Sequence, residues 1–160
     1  MTLAARLCSV LAPGVTLTPQ VWMTTPAGRY RPDLLLHTPG VNGGCGRSTV
    51  LEADGEAYHQ DFFRDVARDE ALLASGLIDG VLRLGGDIIY NRPWDAVWLV
   101  HLVHPGALSP RGRALCARVA SEGARELEPP QRGGMLSVYS ELPGRKPRMF
   151  GAFWRVPRSA

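Results

Sequence analysis

From Tyr30 to Leu84 the sequence changes period twice. YRPDLLL and STVLEAD read as β-strands, RDVARDEALLASG as a helix with its stop, and GVLRL as a further strand. Strands that alternate with a helix in this way place the chain in the α/β class. The same stretch fixes where its acidic residues fall. Asp33 stands at the end of an apolar-flanked strand. Glu52 and Asp54 follow on a second strand, 52 − 33 = 19 residues after Asp33. Two residues apart on a strand means one face, so the spacing predicts three carboxylates converging on one point.

Crowded carboxylates repel unless a cation compensates them, and hard oxygen ligands suit Mg²⁺ or Mn²⁺. The chemistry such a centre performs on a phosphate is hydrolysis of a phosphodiester. Pro32-Asp33 followed by Glu52-Ala53-Asp54 resembles the PD-(D/E)xK superfamily of nucleases. More narrowly, the chain is similar to very-short-patch-repair-like endonucleases and their small bacterial relatives. It shares with them, in order, Pro19-Gln20, the strand over 30–36, the block Glu52–His59, the pair Arg68-Asp69 and the stretch 76–84. The resemblance covers residues 17–100. It implies a restriction-endonuclease-like core, a central mixed β-sheet flanked by helices, and a Mg²⁺-dependent DNA endonuclease or nickase of repair, restriction or defence.

It also implies roles. Asp33 and Glu52 would bind the metal, and Asp54 would share it or position the attacking water at a place where many relatives carry lysine. His59 would assist proton transfer, Gln20 would support a metal-bound water, and Arg29, Arg31, Arg47 and Arg64 would hold backbone phosphates. Each residue has a plainer reading beside this one. Asp33 is also a turn aspartate next to proline, Asp54-Gly55 a strand-ending turn, His59 a surface residue at a helix start, and the arginines solvated charges. Asp69 falls on the inner side of the helix, and a buried aspartate there needs Arg83 or Arg68 as its partner. His101 and His104 have helical spacing, but two histidines make no metal site, and Gly85-Gly86 lacks the lysine of a phosphate loop.

Composition sets wider limits. A chain of 160 residues, 45% apolar and 21% charged, is expected to be one domain with a real core and no disordered or membrane-spanning tract. Cys8, Cys45 and Cys116 are odd in number and far apart, which suggests reduced thiols and a cytoplasmic location rather than a disulfide frame. The formal charge of +3, carried by arginines and the single Lys146, permits a polyanionic partner without demanding one.

The remaining elements follow from punctuation. Leu3, Leu7, Val10 and Leu11 predict an amphipathic helix over 3–11, stopped by Pro13-Gly14. A strand over 15–24 turns at Thr25-Pro26-Ala27-Gly28 into the strand over 30–37, and the glycine-rich 38–48 is a loop beside the carboxylates. The helix over 59–75 carries apolar lines through Phe62, Val66 and Leu73 and through Phe63, Ala67, Ala71 and Ala74, with Gly76 as its cap. Gly85-Gly86-Asp87 is a turn, and Pro93 opens a helix reaching Pro105. Residues 1–105 form the nuclease-like core. Residues 106–160 form an extension on or beside it: a helix over 110–124, a linker over 126–134, and a hairpin of 136–142 with 148–156 that extends the sheet or holds a protein partner or second copy. Two other functions fit the same sequence: a catalytically inactive, nuclease-like module that binds DNA or protein, and a nuclease of RNA or single strands.

Overall fold

The computed structural model describes residues 2–40, 44–54, 62–129, 135–140 and 148–154, the last two stretches by backbone alone. Its centre is a mixed six-stranded sheet flanked by helices, in the order β1-β4-β5-β6-β8-β7. The strands are β1 (Thr16–Pro19), β4 (Leu34–Thr38), β5 (Arg47–Asp54), β6 (Gly80–Gly85), β7 (Met135–Ser140) and β8 (Arg148–Trp154). β1 pairs antiparallel with β4, and β4 with β5. β5 and β6 run parallel, joined through α2 (Phe62–Ala74), because parallel neighbours need a crossover. The C-terminal hairpin β7–β8 adds to the edge of β6.

Alternation along the strands sorts side chains between two apolar cores. Leu36, Leu51, Leu82 and Leu84 face α1 (Leu3–Cys8), α4 (Pro93–Val103) and α5 (Pro110–Val119). Val50 and Val81 face the other way, toward Leu72 of α2. Leu36, Leu51, Leu82, Leu84, Val97 and Val100 are fully buried, and each such burial stabilises by about 1.5–3 kcal/mol before entropy is counted. α4 is apolar nearly all round and is the hub: α1, α3 (Gly86–Asn91), α5, α6 (Glu122–Arg125) and β6 all pack on it. Gly112 lets α5 approach α1, since a Cβ there would collide with the Val10 carbonyl. Gly76, at φ +73°, ends α2 in the left-handed conformation that its position predicts.

Four expectations change. The strand of 15–24 breaks after Pro19, and a separate antiparallel pair, β2 (Met23–Thr25) with β3 (Gly28–Tyr30), is inserted before β4. Gln20, at φ +50°, makes the break, while its N–H still donates to the Asp33 carbonyl at 3.0 Å. Gly85-Gly86-Asp87 opens α3 rather than a turn, because Gly85 takes the extended conformation of a cap and Ile88 is buried beneath it. The helix of 110–124 divides in two at Ser121, whose hydroxyl caps α6 and whose N–H and Oγ–H both donate to buried Asp95 at 2.7 Å. Finally, part of the predicted apolar face of α2 gives way to charge: Ala67 and Ala74 are exposed, Asp69 and Leu72 are buried, and Leu73 packs on the core as its line predicts.

Candidate active site

Asp33 lies just before β4 rather than at a strand end. The β4–β5 register pairs Leu34 with Leu51, so one step further brings Asp33 opposite Glu52. The two are interlocked. The Asp33 N–H donates to Glu52 Oε2 at 3.4 Å, and the Ala53 N–H donates to Asp33 Oδ2 at 3.0 Å. Pro32 supports this arrangement, since proline disfavours helix in its predecessor and has no N–H to satisfy in the tight approach to β4. Asp33 therefore receives a backbone donor and gives one, and its position is set by the sheet itself.

Glu52 is 7% exposed and faces α2, on the same side of the sheet as Val50. Arg68 Nη2 reaches it from the helix at 2.8 Å. Its strand neighbour across the parallel pair is Arg83, whose Nε and Nη2 grip Asp69 Oδ2 and Oδ1 at 2.7 and 2.8 Å. Asp65 lies 3.8 Å from Arg83, and Arg68 Nε 3.8 Å from Asp69. The inward stripe of α2 is thus met by charge from β5 and β6. Arg83 is the partner that buried Asp69 requires, in the bidentate geometry that makes such pairs strong.

Among the described residues, the cluster gathers the carboxyl groups of Asp33, Glu52, Asp65 and Asp69 with the guanidinium groups of Arg68 and Arg83. Glu52 registers the strain. Burial, opposed by Arg68 and reinforced by the charge of Asp33, pushes its carboxyl from the ordinary 4.5 up to about 7. Burial also raises Asp69, against the pull of Arg83. Asp33 and Glu52 offer hard oxygen donors of the kind Mg²⁺ takes, one or two carboxylates with water and phosphate oxygens filling the shell, and Arg68 competes for Glu52. Among the described residues, no three His, Cys, Asp or Glu side chains are grouped to hold a metal.

The other predicted residues are placed unevenly. Asp54 closes β5 opposite Gly85, and its side chain lies outside the described part; His59 lies outside the described residues altogether. Gln20 is exposed and touches Asp33 only through backbone. Arg29 and Arg31 are exposed on and just after β3, where both guanidinium groups lie over the Trp22 ring, at 4.8 and 5.3 Å from its centroid. Arg64 is exposed in the first turn of α2. Arg47 is elsewhere: it pairs with Thr38 at the opposite end of β4–β5 and donates to the Val103 carbonyl at 3.2 Å. Because Asp33 precedes β4, Thr38 and Arg47, from which the glycine-rich segment departs, stand at the end of the ribbon away from Asp33 and Glu52.

Two contacts go beyond the sequence reading: Arg68, named there only as an alternative partner of Asp69, holds Glu52, and Trp22, not singled out, lies beneath two arginines. A signal for the first exists in the spacing Asp65, Arg68, Asp69, Leu72, which is an inward helical line with polar members. No helix among the described residues is long and apolar enough to cross a membrane. Comparison with protein-family models, with curated proteins and with solved structures finds no match to this chain.

Proposed function

We propose that the chain is a metal-dependent DNA endonuclease or nickase with a restriction-endonuclease-like core, acting in repair, restriction or defence. The observation that carries the reading is the interlock of Asp33 with Glu52, which sets two carboxyl-bearing residues against each other on neighbouring β-segments, with Glu52 buried. Carboxylates are not held together against their repulsion without a compensating return, and a divalent ion at a phosphodiester supplies one.

Asp33 and Glu52 hold the ion, Mg²⁺ or Mn²⁺, which when bound polarises the scissile phosphate and makes water a better nucleophile. Asp54 shares in holding it or orients the water, and His59 carries the proton. With an ion held there, Arg68 would face the same centre from α2, where it would balance charge developing on phosphate. That is the part lysine plays in related sites, and Asp54 cannot play it. The test is cleavage of supercoiled plasmid with added Mg²⁺. Asp33→Ala and Glu52→Ala should each slow cutting by on the order of a hundredfold or more, as expected for loss of transition-state charge stabilisation. If both variants cut as fast as the parent, the hydrolase reading is wrong.

A second reading rests on the Arg68–Glu52 contact. Taken as the resting arrangement, it makes the cluster a self-compensated ion-pair network and the chain a binding module that does not cut. That reading predicts no divalent-cation binding and retained affinity for DNA or a protein.

A further inference from the structure

The β2–β3 pair is small, but its two faces are sharply different. On the inner side Met23 and Thr25 are buried, and Val21 and Tyr30 pack with Val50, Leu72, Ile78 and Val81. On the outer side stand Trp22, Arg29 and Arg31. The register pairs Met23 with Tyr30 and Thr24 with Arg29, so Trp22 lies directly across from Arg31 and diagonal to Arg29. The turn between the strands is closed by Thr25, which accepts from the Ala27 N–H at 3.2 Å and donates to the Gly28 carbonyl at 3.1 Å. The outer group is therefore held on a rigid support, continuous with the core behind Glu52.

Trp22 is 57% exposed, the most exposed of the described tryptophans. What lies over it is charge: Arg29 and Arg31 at 4.8 and 5.3 Å from the ring centroid. Among the described residues neither arginine forms an ion pair with a carboxylate. Two positive groups around an exposed indole match a ligand that is both anionic and aromatic. Pro32 alone separates Arg31 from Asp33, so at about 3.3–3.6 Å per residue this platform begins within roughly 7 Å of chain from the carboxylates.

The geometry points to Trp22, with Arg29 and Arg31, as a stacking platform for an unpaired DNA base next to the phosphate presented to Asp33 and Glu52. On binding, the guanidinium groups slide from the ring to the strand's phosphates and the base takes their place, since an exposed cation–π contact is weaker than a base–aromatic stack. An intact duplex cannot use the indole in this way, because each base face is already covered by its neighbours, whereas a single strand, a bubble or a frayed end can. This inference rests on the nuclease reading for its substrate class, but it concerns binding rather than cutting.

The experiment is fluorescence anisotropy of the full chain in EDTA, where no cleavage occurs, with a short labelled DNA single strand and the corresponding blunt duplex. Trp22→Ala should weaken single-strand binding by about tenfold or more and leave duplex binding within about twofold, while Trp22→Phe keeps most of the affinity. Arg29→Gln with Arg31→Gln should weaken both ligands and flatten the salt dependence. Circular dichroism melting of each variant establishes that the fold is intact. The inference is overturned if Trp22→Ala binds single strands like the parent, if it loses strand and duplex equally, or if the parent binds neither. The two readings stay apart because the Trp22 measurements are made without a divalent ion and bear on binding alone, whereas cutting by Asp33→Ala and Glu52→Ala bears on hydrolysis alone.

Discussion

The β4–β5 ribbon carries polar groups at both ends, and the two ends treat them in opposite ways. At one end His104 is completely buried between two threonines, with Nε2 2.7 Å from Thr38 Oγ1 and Nδ1 2.8 Å from Thr49 Oγ1. Burial, aided by the nearby charges of Arg47 and His37, pushes its pKa down to about 3, so the ring is neutral and each nitrogen has a hydroxyl to meet. Around it His37 pairs with Ser48, and the Ser48 N–H donates to Asp79 at 2.7 Å. At the other end, Asp33, Glu52, Asp65 and Asp69 lie with Arg68 and Arg83, and burial pushes the Glu52 carboxyl up to about 7. The first arrangement is complete, and it serves the fold by locking α4 to the sheet. The second keeps a buried carboxyl whose pKa is raised by burial, the kind of perturbed group that functional sites concentrate.

The contrast can be broken at its strongest points. Asp69→Ala removes the bidentate partner of Arg83 beneath α2, and should cost about 3–5 kcal/mol in urea unfolding. A loss under about 1 kcal/mol would mean that the pair is not buried as described. His104→Ala leaves a void and two hydroxyls without their partner, and should cost about 2–4 kcal/mol by the same measurement. A near-neutral result would remove the claim that this end is structural.

The smallest effect separates the ends most cleanly. Because Glu52 titrates at about 7 in the fold against an ordinary 4.5, its neutral form is the favoured one. Its contribution is fully present below about 4.5 and is lost as pH rises through about 7. Relative to Glu52→Gln, the parent should therefore lose on the order of 1–3 kcal/mol of stability between those limits. His104 has the opposite sign, since a depressed histidine contributes above its ordinary 6.5 and loses that contribution as pH falls toward about 3. Unfolding free energies of parent and Gln variant that track each other across the whole range would contradict the strain assigned to Glu52.

Much of this was legible in the sequence where local rules and tertiary demand agree. The spacing of Asp33 and Glu52, the short strand before Gly85, the proline start of α4 and the glycine stop of α2 all read directly, and a buried Asp69 called for Arg83. The misreadings have one physical source, which is that tertiary contacts outweigh local signals. Two adjacent glycines signal a turn, yet buried Ile88 draws Gly86 onward into a helix. An apolar stripe through Ala67 and Ala74 suggests the inner face of α2, but the partners waiting on β5 and β6 are Glu52 and Arg83, so the helix turns its charged line inward. Gln20 in a left-handed conformation carries no sequence signature, and without it the β2–β3 excursion and the Trp22 platform stay hidden in one long strand.

The central claim is that the negative end of the ribbon is built around a divalent ion. Isothermal titration of Mn²⁺ into the full chain near pH 8, where Glu52 is largely ionised, tests it most directly. The account predicts saturable binding that is lost in Asp33→Ala and in Glu52→Ala and kept in His104→Ala if that variant is folded. No binding by the parent, or binding that survives both carboxylate substitutions, would contradict it.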